Sequence, residues 1–157
     1  MYLYLVQHGI PKSEKEDPTR PLSEKGKQEV EKVGQVLSKL NLKIYQIFHS
    51  GKLRAIQTAE ILEKYLKPER GRSESEALNP LDDVSLWFTR IEKLEVPIML
   101  VGHLPHLAKL VSMLLTGVPD KEVINFRQGA VICLERKNLK WGINWIITPE
   151  IAETFIS

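Results

Sequence analysis

The order of apolar runs and helical patterns along the chain predicts an α/β fold, a three-layer sandwich. Its central sheet is mainly parallel and flanked by helices, with an antiparallel edge strand near the C-terminus. Three observations carry this. Runs of strand type at residues 3–6 (LYLV), 44–48 (IYQIF) and 98–101 (IMLV) alternate with stretches of helical periodicity, the arrangement that builds layered sheets covered by helices. The first and last of these runs are continuously apolar, as strands buried on both faces are. Two further runs, 130–134 (AVICL) and 140–147 (KWGINWII), follow each other with only a turn near Lys137-Asn138 between them, which suits an antiparallel addition at a sheet edge.

Each element has a local cause. After the first strand comes a polar, Pro-containing loop of mixed charge over 11–21, a surface segment of the kind that often carries function. Ser23 is a fitting N-cap, since its hydroxyl accepts from an orphan amide of the first helical turn. Val30, Val33, Leu37 and Leu40 then recur at helical spacing, one apolar stripe facing a core. Asn41 breaks this helix, and the second strand follows. Residues 53–66 form a second amphipathic helix with Ala55, Ala59, Leu62 and Leu66 on one face, closed by Pro68 and Gly71. Asn79-Pro80 marks a turn, and Asp82 or Asp83 caps a third helix bearing Val84, Trp87, Ile91 and Leu94. Pro97 ends it, the IMLV strand runs to Gly102, and 107–115 is apolar and helical in pattern.

Composition narrows the function. At 157 residues, with no repeat or linker, the chain reads as one domain over 1–157. Hydrophobic residues at 43% and charged residues at 27% are those of an ordinary globular protein. Lys+Arg 22 against Asp+Glu 20 leaves a net charge of +2, which argues against nucleic acid as a partner. A single cysteine, Cys133, excludes an internal disulfide and Cys-rich zinc motifs. No apolar run approaches the length that spans a bilayer, and the N-terminus lacks a leader pattern. The expectation is a cytoplasmic protein with no membrane partner.

Four histidines carry the chemistry. His8 follows the first strand, His49 the second and His103 the IMLV strand, with His106 one turn further on. Ligands of open α/β sheets bind outside the carboxyl ends of the strands, so three strands deliver a histidine to one edge. For His49 and His106 a structural role is the simpler reading. For His8 and His103 the strand–His–turn context favours function, with Gly9 and Gly102 allowing close backbone approach to a ligand. Arg54 falls in the first turn of the second helix, where free amides and the helix dipole favour anions and a guanidinium adds bidentate phosphate recognition. Arg20, in the loop, is less distinctive by itself. A metal site from His8, His103, His106 and an Asp is disfavoured, because Pro105 interrupts the His pair and no HExxH motif exists.

Taken together, Val6-Gln7-His8-Gly9, Arg20-Pro21-Leu22-Ser23-Glu24-Lys25-Gly26, Ser50 through Ala59 and Val101-Gly102-His103-Leu104-Pro105 resemble the histidine phosphatase superfamily, the group with phosphoglycerate-mutase-like folds. The short length and the RPLSEKG and GHLP blocks look like its SixA-type phosphohistidine phosphatase branch. The resemblance runs from residue 1 to about 147. It implies that His8 is the nucleophile taking up the phosphoryl group and that His103 stabilises the phosphate. Arg54 would clamp its equatorial oxygens, Arg20 would contact it at the pocket mouth, and Gln7 and Gly9 would complete the phosphate site. No cofactor or metal is implied, and the partner is a phosphohistidine-bearing protein of phosphorelay type in signal transduction.

One position departs from the family. Gln7 stands where the Arg-His-Gly motif has arginine, and its amide can donate but carries no charge. A hydrogen bond to a charged group is worth about 1.5–3 kcal/mol against about 1 for a neutral pair, so turnover drops by roughly tenfold to a few hundredfold. Alternatively Lys52 supplies the missing charge, or the pocket binds phosphate without efficient chemistry; small phosphomonoesters are the alternative substrates. Glu76, Asp82 and Asp83 occupy the region from which relatives draw a general acid, but capping and solvation account for them better.

Overall fold

In the computed structural model, which describes residues 1–156, the chain builds a six-stranded sheet in the order β3-β2-β4-β1-β5-β6. The strands are β1 (Tyr2–Gln7), β2 (Gln46–His49), β3 (Arg72–Glu74), β4 (Ile98–Gly102), β5 (Val131–Lys137) and β6 (Lys140–Ile147). Strands β1 to β4 are mutually parallel, while β5 runs antiparallel to β1 and β6 antiparallel to β5. The antiparallel part is thus a whole hairpin rather than a single edge strand. Its turn residues Asn138 and Leu139 both take positive φ, 51° and 66°, the backbone that a tight two-residue hairpin requires.

The helices are α1 (Glu24–Ser38), α2 (Leu53–Leu66), α3 (Ser85–Glu92), α4 (His106–Thr116) and α5 (Pro149–Glu153). Side chains alternate across β1 and β4. Tyr4, Val6, Met99 and Val101 pack with α1, α2 and α5, while Leu3, Leu5, Ile98 and Leu100 pack with α3 and α4. Both faces are therefore covered, which is why these strands read as unbroken apolar runs. Ser23 caps α1 as expected, accepting from the Gly26 amide at 3.0 Å.

Leu40 does not belong to the α1 stripe: the helix ends at Ser38 and Leu40 is 54% exposed. Of the two aspartates before α3, Asp83 is the one that reaches its start, its carboxylate accepting from the Ser85 amide at 2.7 Å, whereas Asp82 accepts from the Asn79 amide in the preceding turn. Strand β3 and helix α5 were not anticipated, each being too short to show a period. Among the described residues no helix is long and apolar enough to cross a membrane.

Candidate active site

The carboxyl ends of β1, β2 and β4 lie side by side, and the chain leaves them at Gln7-His8, His49-Ser50 and Gly102-His103. The His8 amide donates to the Gly102 carbonyl at 3.1 Å, extending the β1–β4 ladder by one residue and pinning His8 to the end of β4. The His8 and His103 rings come to 4.9 Å between centroids, and both are buried, at 6% and 1% exposure.

The bonds of His8 decide its tautomer. Its Nδ1 lies 2.7 Å from the Gly9 carbonyl. A carbonyl only accepts, so Nδ1 carries the hydrogen and the lone pair is left on Nε2. Burial, with Arg54 and Arg20 nearby, lowers its pKa from 6.5 to about 4, which keeps the ring neutral at pH 7. Thr58 holds the loop that does this: its hydroxyl accepts from the Gly9 amide at 3.0 Å and donates to the Arg54 carbonyl at 2.8 Å. The turn of α2 that carries Arg54 and the loop that carries His8 are therefore one unit.

His103 is fixed from the other side. Its Nε2 lies 2.6 Å from Ser50 Oγ, which also accepts from the Lys52 amide at 3.3 Å. When the Ser50 hydroxyl donates to Nε2, the ring hydrogen sits on Nδ1. That Nδ1 is buried and unpartnered. Burial first, then the charges of His8, Arg54 and Lys52, bring the His103 pKa down to about 3. Arg54 Nε and Gln7 Oε1 are likewise buried without a partner. Buried polar groups are nearly always hydrogen-bonded, and exceptions call for an explanation such as a ligand. Here His103 Nδ1–H and Arg54 Nε–H are two uncommitted donors beside the free lone pair of His8, a set that suits a phosphoryl group.

Of the residues singled out from the sequence, His8, His103, Arg54 and Gln7 gather at this edge. Arg20 and Lys52 line a cleft with Arg54 immediately outside it. Gly9 serves differently from the expectation. Its amide is taken by Thr58, and a Cβ there would meet Val30 Cγ2 at 2.9 Å on α1, so it orients His8 and packs the loop. Gly102 has only ordinary contacts where a Cβ would lie, the nearest at 3.5 Å. His49 is structural, its Nδ1 accepting from the Gly51 amide at 3.1 Å. His106 is fully buried at the start of α4. Glu76 pairs with Arg90 at 3.1 Å, and Asp82 and Asp83 hold the turn before α3. No cluster of three or more metal-ligating side chains occurs among the described residues. Ser50 and Thr58 were not assigned roles from the sequence, because their partners lie 53 and 49 residues away.

Residues 3–80 match the model of the histidine phosphatase superfamily (branch 1). An uncharacterized protein of Picosynechococcus sp. is 32% identical over 143 residues, 85% of this chain and 84% of its own. Among solved structures, the protein histidine phosphatase SixA complexed with tungstate superposes with a TM-score of 0.82 at 24% identity, over 95% of this chain and 97% of that one. The alpha-ribazole phosphatase from Shigella flexneri gives 0.78 at 12% identity, over 95% and 97%. The shared architecture is the phosphoglycerate mutase-like fold. This chain therefore belongs to the histidine phosphatase superfamily, and its chemistry is that of a phosphatase, a hydrolase.

Proposed function

We propose that the protein is a phosphohistidine phosphatase that removes phosphate from a phosphohistidine-bearing protein through a phosphoenzyme on His8. The observation that carries this reading is the free Nε2 lone pair of His8 beside two buried, uncommitted donors, His103 Nδ1 and Arg54 Nε. Phosphoryl transfer depends mainly on positioning and on donors for spread negative charge, and these groups are of that kind. The likeness in fold to SixA, a protein histidine phosphatase, supports the choice of substrate.

The chemistry balances in two steps. His8 Nε2 attacks phosphorus while the N–P bond to the substrate imidazole breaks, and that imidazole takes a proton from solvent. Water then attacks the phosphohistidine, yielding inorganic phosphate and restoring neutral His8. Exchange of one N–P bond for another needs no dedicated acid, because imidazole is readily protonated near neutral pH. This accords with Glu76, Asp82 and Asp83 being engaged elsewhere.

A second reading, a phosphate-binding module of low turnover, is favoured by Gln7, which brings an amide where a guanidinium would supply charge. Comparing hydrolysis of a phosphohistidine protein with that of phosphoserine and phosphotyrosine proteins, with His8→Ala as the blank, tests the proposal. Selective release from phosphohistidine supports it. Binding of phosphate without release would favour the second reading.

A further inference from the structure

Outside the two histidines, the loop after β1 and the start of α2 enclose a cleft of about 330 Å³. Its walls are Arg20, Lys52 and Arg54, with Glu14, Pro18, Thr19 and Leu53. His8 and His103 do not line it, and Arg54, which with Arg20 acts electrostatically on His8, links it to their site. None of the three cations forms an ion pair among the described residues, and Glu14 is the one carboxylate in the lining.

Arg20 is held there at a cost. Its φ is +46°, an outlier for a long side chain, and strained backbone of this kind clusters at ligand sites. The loop is closed beneath it by the Pro11–Leu22 bridge and the Lys12 amide to the Pro21 carbonyl at 2.7 Å. The Arg20 amide donates to the Asp17 carbonyl at 2.9 Å, and the Leu22 amide donates to Gln57 Oε1 at 2.6 Å. Arg20 Nε donates to the Lys12 carbonyl at 3.2 Å, and neither terminal guanidinium nitrogen has an acceptor among the described residues. On the same lining the Lys52 amide donates to Ser50 Oγ at 3.3 Å, and the Lys52 ammonium makes no hydrogen bond among the described residues.

We propose that this cleft binds a second anionic group of the substrate, a carboxylate carried next to the phosphoryl group, with Lys52 and Arg20 as its specificity-determining ligands. The terminal nitrogens of a guanidinium match the planar oxygens of a carboxylate, and an ammonium adds an undirected charge. Glu14 on the same wall repels an anion and sharpens the need for both cations. The inference rests on the reading that His8, His103 and Arg54 hold the phosphoryl group.

The test is the affinity of phosphoglycolate, a phosphate ester with a carboxylate, against ethyl phosphate, which lacks it. Calorimetry is run on wild type, Lys52→Met and Lys140→Met, the last removing the same charge from the β5–β6 hairpin. Wild type and Lys140→Met favour phosphoglycolate by about tenfold or more, the scale of one charge-assisted bond, and Lys52→Met loses most of that preference. Equal affinities in wild type, a preference kept in Lys52→Met, or an equal loss in Lys140→Met would overturn the inference, as would failure of both esters to bind. Turnover of phosphohistidine peptides flanked by Glu or by Gln places the acid: a preference for Glu puts it on a protein substrate. No turnover of either peptide, with the phosphoglycolate preference intact, would sink the phosphohistidine reading while leaving the cleft assignment standing.

Discussion

Four arginines divide into two kinds. Arg136, on β5, gives its guanidinium to the Ile91, Glu92 and Leu94 carbonyls at 3.2, 3.1 and 2.8 Å, closing the end of α3 onto the sheet. Arg127 donates to Glu29, Glu150 and the Gln128 carbonyl. At the other region, Arg54 keeps a buried Nε with no acceptor, and Arg20 spends one nitrogen on its own loop. Both kinds are positively charged and sit near helix ends, yet one is saturated and the other is kept open. Saturated donors hold the fold; open donors in a buried setting cost stability and persist where a ligand completes them.

The contrast gives predictions of graded size. The largest concerns His8: His8→Ala brings hydrolysis to background in a folded protein, measured by phosphate release with circular dichroism as the check. Next, Arg54→Ala lowers kcat/KM by roughly a hundredfold or more, the scale of losing one preorganised donor to a developing charge, while thermal stability holds or rises. Arg136→Ala shows the reverse, losing about 1.5–3 kcal/mol of stability with kcat near wild type. Denaturant unfolding and initial rates, run on both variants, separate the two kinds. Similar effects of both substitutions on stability would erase the distinction.

Smaller in effect is Gln7→Arg, which raises kcat/KM by about tenfold to a few hundredfold if the buried amide is an under-charged phosphate contact. Unchanged or lower rates in a folded variant would remove Gln7 from the phosphate site. The smallest effect is on pH dependence. His8 and His103 have pKa values of about 4 and about 3 when folded, against 6.5 unfolded. Between these values the unfolded chain binds more protons, so stability is full above pH 6.5 and falls as pH drops toward 3. A titration of stability by denaturant shows this slope, and it flattens in His103→Gln. For the same reason the acid limb of kcat/KM lies near pH 4 rather than 6.5.

Much of this was legible in the chain because it is local. Apolar runs ended by histidine marked the strand ends, and the Ser23 cap and the Arg54 turn are short-range features. Other parts depend on distant partners. Nothing near Ser50 or Thr58 shows that they fix His103 and the loop of His8. The φ of Arg20 is imposed by loop closure across Pro11 and Leu22, which composition does not reveal. Gly9 read as a residue making room for ligand, but the room is taken by Val30 of α1. Leu40 fitted the α1 period, yet the helix had already ended.

The proposed phosphatase reaction turns on one atom, His8 Nε2, as the acceptor of the phosphoryl group. Its most direct test is to quench turnover at neutral or alkaline pH and locate the bound phosphate by mass spectrometry and phosphorus NMR. The expected result is an acid-labile phosphate on His8, attached at Nε2 and absent from His8→Ala. Phosphate found on another residue, or none during continuing turnover, would contradict it.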